Sequence, residues 1–340
     1  MIRTAPASLE RARETTMPAL REVRGRLHPA IGRIAAYHAG HADASGMPTD
    51  GGGKAIRPAL ALLSAEAAGA PPEVAVPGAV AVELIHDFSL LHDDVMDGDR
   101  ERRHRPAAWA VFGESLAILA GDALVVAAQQ VLLESGNPWT IPAMRLVADA
   151  AQAMIGGQVD DLAFEPRGDV RPAESERMVE GKTGALLSCA SAIGAVLGGA
   201  PNPTVSALRA FGLHLGMAFQ AQDDLLGIRG DPEVTGKPRA TDLRRRKKTL
   251  PVTAAMWAPG PGAARFRELI GRPPVHDGDP DPDLPELVSL VDRCGGERAA
   301  RDLADRHLTM ALSSLDGIPV SAGIRGELEA LARFVVDREA

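Results

Sequence analysis

Along most of this chain the apolar residues return every third or fourth position, a rhythm that points to packed helices and to little else. It runs through residues 56–68, 74–91, 115–133, 141–155, 184–197 and 205–226, and no segment keeps the strict alternation of a half-buried strand. The breaks between these stretches carry Gly, Pro or Asn, as at Gly69-Ala70-Pro71-Pro72 and Ser135-Gly136-Asn137-Pro138, which stop a helix and turn the chain. The pattern therefore predicts an all-α protein of long helices and short loops. Residues 1–17 are polar, Arg-rich and punctuated by Pro, and they predict a flexible extension before a first helix near Pro18. Residues 18–340 then form one domain. Within it, residues 259–285 are rich in Pro, Gly and Asp and predict a mobile surface loop.

Composition narrows the function classes. The formal net charge of −8 disfavours a nucleic-acid partner, since a phosphate backbone rewards a broad positive face. An aromatic fraction of 3% leaves few rings on which bases could stack. The two cysteines, Cys189 and Cys294, are far apart and carry no metal-ligand spacing, so a reducing compartment and a cytoplasmic location are expected. Neither a secretion signal nor an uninterrupted apolar run of about eighteen residues is present, so no membrane span is expected.

Two acid clusters end apolar helical stretches. The first is Leu90-Leu91-His92-Asp93-Asp94-Val95-Met96-Asp97. On a helix Asp93 and Asp97 lie one turn apart on one face, and carboxylates in a last turn oppose the helix dipole unless a cation relieves them. Mg2+ suits that place, because it takes hard oxygen ligands and shares itself between carboxylates and substrate phosphates. The second is Phe219-Gln220-Ala221-Gln222-Asp223-Asp224-Leu225-Leu226-Gly227. If the two helices run side by side, the pairs face each other and grip a diphosphate through the ions. A solvated helix end is the plain alternative for either cluster alone; two such clusters weaken it. Cations accompany them: Lys54 and Arg57 after Gly51-Gly52-Gly53, the pair Arg102-Arg103, Lys182-Thr183, Lys237, and the run Arg244-Arg245-Arg246-Lys247-Lys248, most of which reads as a solvated face.

From about Gly51 to Pro251 the order and spacing of these elements resemble the polyprenyl synthetase family, the trans-isoprenyl diphosphate synthases. The resemblance is carried by GGGKAIRP, ELIHDFSLLHDDVMD, the following RR, GKTG, FQAQDDLLG and GDPEVTGKPRATDLRRRKKTLP, while YHAGHAD around Tyr37 looks like the actinobacterial branch. It implies an isoprenoid synthase fold, a single large helical bundle with a central active-site cavity, and a homodimer. It further implies that Asp93, Asp97 and Asp223 bind Mg2+, roughly three ions per site, with Asp94 and Asp224 supporting ions and ligand waters. Lys54, Arg57, His86 and Arg103 would hold isopentenyl diphosphate. Arg102, Lys182, Lys237 and Lys247 would hold the allylic diphosphate, and Thr183 and Gln220 would lie beside the reacting carbons. Two positions depart from the family pattern: Gly227 stands where the second motif has a third Asp, and His104 replaces the Gly often found after the Arg pair.

The implied reaction is ionisation of the allylic diphosphate, attack by the isopentenyl double bond, and loss of a proton to the released diphosphate, which needs no protein base. Phe88 and Ser89 lie about 7.5 and 6 Å below Asp93 at a rise of about 1.5 Å per residue. They would form the floor that sets chain length, and an aromatic followed by Ser resembles C20 geranylgeranyl diphosphate synthases. Two rivals stand beside this expectation. A class I terpene cyclase would carry an N-D-x-x-S-x-x-x-E motif in place of DDLLG, and a non-catalytic modulating subunit would have lost some of the acids or Lys54 and Arg57.

Overall fold

The computed structural model describes residues 5–49, 51–229, 240–275 and 279–336. The 3.6-residue rhythm emerges as helix almost throughout, and packing gathers the chain into two compact units where the sequence predicts one domain over residues 18–340. The first comprises Met1–Ala151, Ser188–Arg209 and Leu315–Leu331, and the second Gln152–Leu187, Ala210–Ser314 and Ala332–Ala340.

In the first unit, α1 (Ala7–Arg26) starts well before Pro18, correcting the expected flexible extension. Leu9, Ala12, Thr16, Leu20 and Val23 follow one another at steps of three and four, and all are buried. Burying a Leu or Val side chain contributes about 1.5–3 kcal/mol, enough to carry the helix through a proline that removes one hydrogen bond. After α2 (Pro29–His38) and α3 (Ile56–Ala67) comes α4 (Val76–Met96), the core helix of the unit. It packs along α6 (Glu114–Glu134), which follows the short α5 (Ala108–Phe112). Small residues bring these axes close. A Cβ at Gly121 of α6 would stand 2.2 Å from His92 Nε2, so only glycine admits the imidazole. Likewise a Cβ at Gly194 of α9 (Ala185–Leu197) would meet the Ala61 carbonyl oxygen at 2.0 Å. By length and composition alone α4 and α6 reach the range of a membrane span, a test that core helices also pass.

The second unit takes the C-terminal part of α7 (Thr140–Phe164), then α8 (Pro172–Val179), a wide π-turn at Glu180–Gly184, and the greater part of α10 (Asn202–Arg229). Next come α11 (Thr241–Arg244), α12 (Leu250–Met256), α13 (Pro261–Ile270), α14 (Leu284–Arg293) and α15 (Gly296–Ser314), while α16 (Ala322–Val336) belongs to the first unit as far as Leu331. The expected mobile loop at 259–285 is corrected in part. Phe266, Leu269 and Ile270 of α13 are buried against Val252, Met256, Leu287 and Val291. Pro261 opens that helix from its first turn, where a missing N–H costs nothing, so the proline that suggested a loop is a helix start.

Candidate active site

Each unit carries one acid cluster at the end of a helix. In the first, α4 runs to Met96 and Asp97 caps it, its backbone N–H donating to the Asp93 carbonyl at 2.8 Å. Asp93 and Asp97 are half-buried on one face, as the spacing predicts. Asp94 points the other way and is buried. Its Oδ1 accepts from Arg102 Nε at 2.7 Å and Nη2 at 2.6 Å. Arg102 lies on β1 (Glu101–Arg102), which pairs with β2 (Arg105–Pro106) through a two-residue turn. Both turn residues take positive φ, Arg103 at 54° and His104 at 60°. His104 thus occupies a left-handed position that glycine adopts without strain, which explains why a glycine is common there.

The glycine loop before α3 is shaped by contacts that exclude side chains. A Cβ on Gly51 would meet the Gly40 carbonyl oxygen at 2.4 Å, and Gly52 has φ +135°. Ala55 turns left-handed at φ 54° and starts α3, which sets Lys54 and Arg57 at a helix N-terminus, a place that favours anions. Arg13 of α1 donates from Nη2 to the Gly53 carbonyl at 2.9 Å, and Arg103 and Glu83 approach the same glycine. Beneath lies a cavity of about 30 Å³ lined by Arg13, Arg24, His41, Glu83, Asp87 and Arg103 among others. Arg24 ties it together: Nη2 donates to Asp87 Oδ2 at 2.8 Å and Nη1 to His41 Nδ1 at 2.7 Å. Burial, reinforced by Arg24, lowers the His41 imidazole to about 4, so its Nδ1 is free of a proton and accepts. His86 is likewise held neutral, by burial first and then by Arg57 and Arg103. The Glu83 carboxyl is pushed up by burial and by Asp87, against the pull of Arg57, Arg24 and Arg103. Phe88 is buried and meets the His92 ring edge-on at 4.9 Å, and Ser89 Oγ donates to the His86 carbonyl at 2.9 Å.

In the second unit, Lys182 and Thr183 lie in the π-turn rather than just before a fresh helix. Such widened turns recur at functional sites. Glycines allow it to press on α7: a Cβ at Gly157 would stand 2.3 Å from the Lys182 nitrogen. Lys182 Nζ donates to Asp161 Oδ2 at 2.6 Å. Thr183 Oγ1 donates to Gln220 Oε1 at 2.8 Å, Gln220 Nε2 donates to Asp224 Oδ1 at 2.8 Å, and the Leu250 N–H donates to Asp224 Oδ2 at 2.9 Å. Asp224 is buried, and burial together with Asp242 and Asp223 raises its carboxyl to about 8 despite those two donors. Both its oxygens are engaged in holding helices together, whereas Asp223 is exposed.

The cationic run after α11 is corrected from a solvated face. Arg246 is 3% exposed, donating to Asp281 Oδ2 at 2.9 Å and to the Leu243 carbonyl at 2.7 Å. Lys248 is 4% exposed and donates to the Arg246 carbonyl at 2.7 Å, while Lys247 between them stays half-buried. Lys237 lies outside the described residues. Sequence reasoning missed Arg13, Glu83, Asp161 and Asp242. Only Asp161 left a local signal, the acid pair Asp160-Asp161 on an apolar helix.

Each unit therefore offers carboxylate oxygens at a helix end, a donor type that suits a hard cation such as Mg2+, and in the first unit neutral imidazole and arginines accompany them. Among the described residues no group of three or more His, Cys, Asp or Glu side chains is placed to hold a metal ion by itself. Comparison with known proteins matches these features. The family described as polyprenyl synthetase matches residues 42–281. A (2E,6E)-farnesyl diphosphate synthase of Mycobacterium tuberculosis is 45% identical over 99% of this chain and 94% of its own length. A geranylgeranyl diphosphate synthase of the same organism is 38% identical over 98% of this chain and 94% of its own. Among solved structures, a polyprenyl synthetase from Streptomyces coelicolor A3(2) superposes with a TM-score of 0.91 at 49% identity, covering 97% of this chain and 99% of that one.

Proposed function

Because the chain belongs to the polyprenyl synthetase family and is a prenyltransferase of the isoprenyl diphosphate synthase type, we propose that it condenses isopentenyl diphosphate with an allylic diphosphate, head to tail and in trans, to a C20 geranylgeranyl diphosphate. The observation that carries the condensation is in the first unit: Asp93 and Asp97 share a face at the end of α4, and the glycine-shaped loop with Lys54 and Arg57 stands beside Arg103 and the neutral His86. A cyclase has no use for this second diphosphate-binding set. Retention of all these residues also disfavours a non-catalytic modulating subunit.

Asp93, Asp97 and Asp223 would hold Mg2+, which when bound supplies the charge that draws electrons onto a departing diphosphate. Lys54, Arg57 and Arg103 bind the isopentenyl diphosphate as point charges and bidentate forks, and His86, uncharged, adds a directional hydrogen bond. Asp94 fixes Arg102 for the allylic diphosphate, and Asp161 does the same for Lys182. Lys237 and Lys247 complete that set. Thr183 and Gln220, locked to each other and to Asp224, would lie beside the reacting carbons.

The C20 product rests on Phe88 followed by the small Ser89. The farnesyl diphosphate synthase relative supports a C15 product as the second reading. Incubating the protein with Mg2+, labelled isopentenyl diphosphate and each allylic starter, then resolving products by chromatography, tests both. Elongation to C20 is expected, C15 alone favours the second reading, and cyclic hydrocarbon or no product refutes condensation. A homodimer is proposed on the outer face of α6, where Leu119, Val126 and Leu133 recur every seven residues and are exposed.

A further inference from the structure

The groups assigned to isopentenyl diphosphate come from three elements: Lys54 and Arg57 from the glycine loop and α3, His86 from α4, and Arg103 from the hairpin of β1 and β2. A ligand gripped from three sides needs those sides at a fixed spacing. One buried chain of side chains runs between two of them. Asp87, next to His86 on α4, accepts from Arg24 Nη2 at 2.8 Å, and Arg24 Nη1 donates to His41 Nδ1 at 2.7 Å. The far edge of that imidazole lies against the glycine loop, where a Cβ on Gly52 would stand 2.8 Å from His41 Nε2.

A guanidinium has donors only, so Nδ1 is the bare nitrogen of the ring and the ring's proton sits on Nε2, beside the loop. The planar fork of Arg24 serves both partners at once, which the single nitrogen of a lysine does not match. Its main chain is seated as firmly. A Cβ at Gly32 would stand 2.5 Å from the Arg24 carbonyl oxygen, so only glycine lets α2 close on the end of α1. The His41 N–H donates to the Ala36 carbonyl at 2.9 Å, and the His41 carbonyl accepts from the Thr49 N–H at 3.0 Å. Arg24 and Asp87 are 5% and 2% exposed. Stability does not call for a buried ion pair, since apolar side chains of the same volume do as well there; a fixed orientation does.

We propose that Arg24 and His41 are positioning residues for isopentenyl diphosphate: with Asp87 they form a buried strut from α4 to the glycine loop, which fixes the separation of His86 from Lys54 and so the width of the diphosphate cradle. This rests on the isopentenyl diphosphate site proposed above. Neither residue need touch the ligand. The strut acts through Gly52, whose missing side chain gives the imidazole its seat.

Three variants test it. Arg24→Met with Asp87→Leu removes the strut without stranding a charge, His41→Leu cuts it at the loop end, and Arg24→Lys keeps the charge but not the fork. Arg11→Met, which breaks the pair between the same α1 and Glu66 of α3, is the control. The readouts are binding of isopentenyl diphosphate by calorimetry without Mg2+, which needs no turnover, KM for each substrate, and melting temperature. Each strut variant is expected to weaken isopentenyl diphosphate binding and raise its KM about tenfold, below the hundredfold that a misplacement of about 1 Å can cost. The allylic KM and kcat should stay within about twofold of the parent, and the apolar exchange should melt within about 4 °C of it. The control should leave every KM alone. Folded strut variants that bind isopentenyl diphosphate like the parent overturn the assignment, as does a control that weakens binding equally or an equal rise in both KM values. Should the apolar exchange not fold, His41→Leu, which leaves the pair of Arg24 and Asp87 intact, decides. If the parent binds isopentenyl diphosphate but makes no prenyl product, and the strut variants bind it weakly, the condensation falls and the strut stands; if the parent does not bind it, both fall.

Discussion

Gly121→Ala adds one methyl group, and the structure says where it goes. The new Cβ would stand 2.2 Å from His92 Nε2 and 2.4 Å from its Cδ2. The imidazole must therefore leave its seat between α4 and α6. It then loses the hydrogen bond from Nε2–H to the Ile118 carbonyl, made at 2.9 Å and worth about 1 kcal/mol net, and the edge contact with Phe88, worth about 0.5–1 kcal/mol. Overpacking where the helices meet costs about 1–3 kcal/mol more. Against this, Ala replaces Gly within a helix, which returns about 1 kcal/mol. The cost wins, leaving a net destabilisation of about 1.5–4 kcal/mol. Because His92 precedes Asp93, the Mg2+ requirement should rise as well. Urea unfolding followed by far-UV circular dichroism measures the first effect, and an Mg2+ titration of activity the second. Combining Gly121→Ala with His92→Ser should recover most of both, since the displaced ring is gone. If Gly121→Ala proves as stable as the parent, His92 is not wedged against α6 and does not hold the acid-bearing turn in place.

Three other outcomes are expected from the geometry. Arg13→Ala removes the bond to the Gly53 carbonyl, and KM for isopentenyl diphosphate should rise about fivefold, close to 1 kcal/mol, at constant kcat; an unmoved KM would detach α1 from the glycine loop. Asp281→Ala strands the buried Arg246 guanidinium and should cost about 3–5 kcal/mol in urea unfolding, whereas Glu286→Ala, at the exposed pair with Arg265, should cost under about 1 kcal/mol. The His214 and His307 Nδ1 atoms lie 3.1 Å apart, and burial first, then His214 and Arg306, lowers His307 to about 4. The unfolded chain takes up that proton near pH 6.5 and the folded chain only near 4, so stability should fall as pH drops through this window and be flat above it. His307→Gln should shrink the melting-temperature loss between pH 7 and 5, and an identical loss in that variant would refute it.

Helices, loops and acid clusters were legible in the sequence because each is written in contiguous residues. The spacing of Asp93 and Asp97 needs only helical geometry, and the Lys54 and Arg57 loop is announced by glycines that the Gly40 carbonyl and a φ of +135° at Gly52 require. What stayed hidden depends on partners distant in the chain. Pro18 looked like a helix start because nothing local shows that Leu9 and Ala12 will be buried. Arg246 and Lys248 looked solvated because their companions, Asp281 and the Glu165 carbonyl, lie tens of residues away. The segment 259–285 looked like a loop because Pro and Gly mark helix starts as readily as turns. Gly227 was visible as a departure, but the Asp242 carboxylate beside it belongs to another element and only coordinates bring the two together.

The π-turn at Glu180–Gly184 has a bearing on how this protein tolerates changes of length. A widened turn is a phase step: it inserts one residue into the screw, so the helix beyond it is rotated by about 100° from where an unbroken α-helix would carry it. Lys182 and Thr183 sit on that step. Substitutions nearby leave the phase alone, but deleting any one residue between Met178 and Gly184 would erase it and swing the lysine and the hydroxyl away from Asp161 and Gln220, although every side chain that matters would still be present.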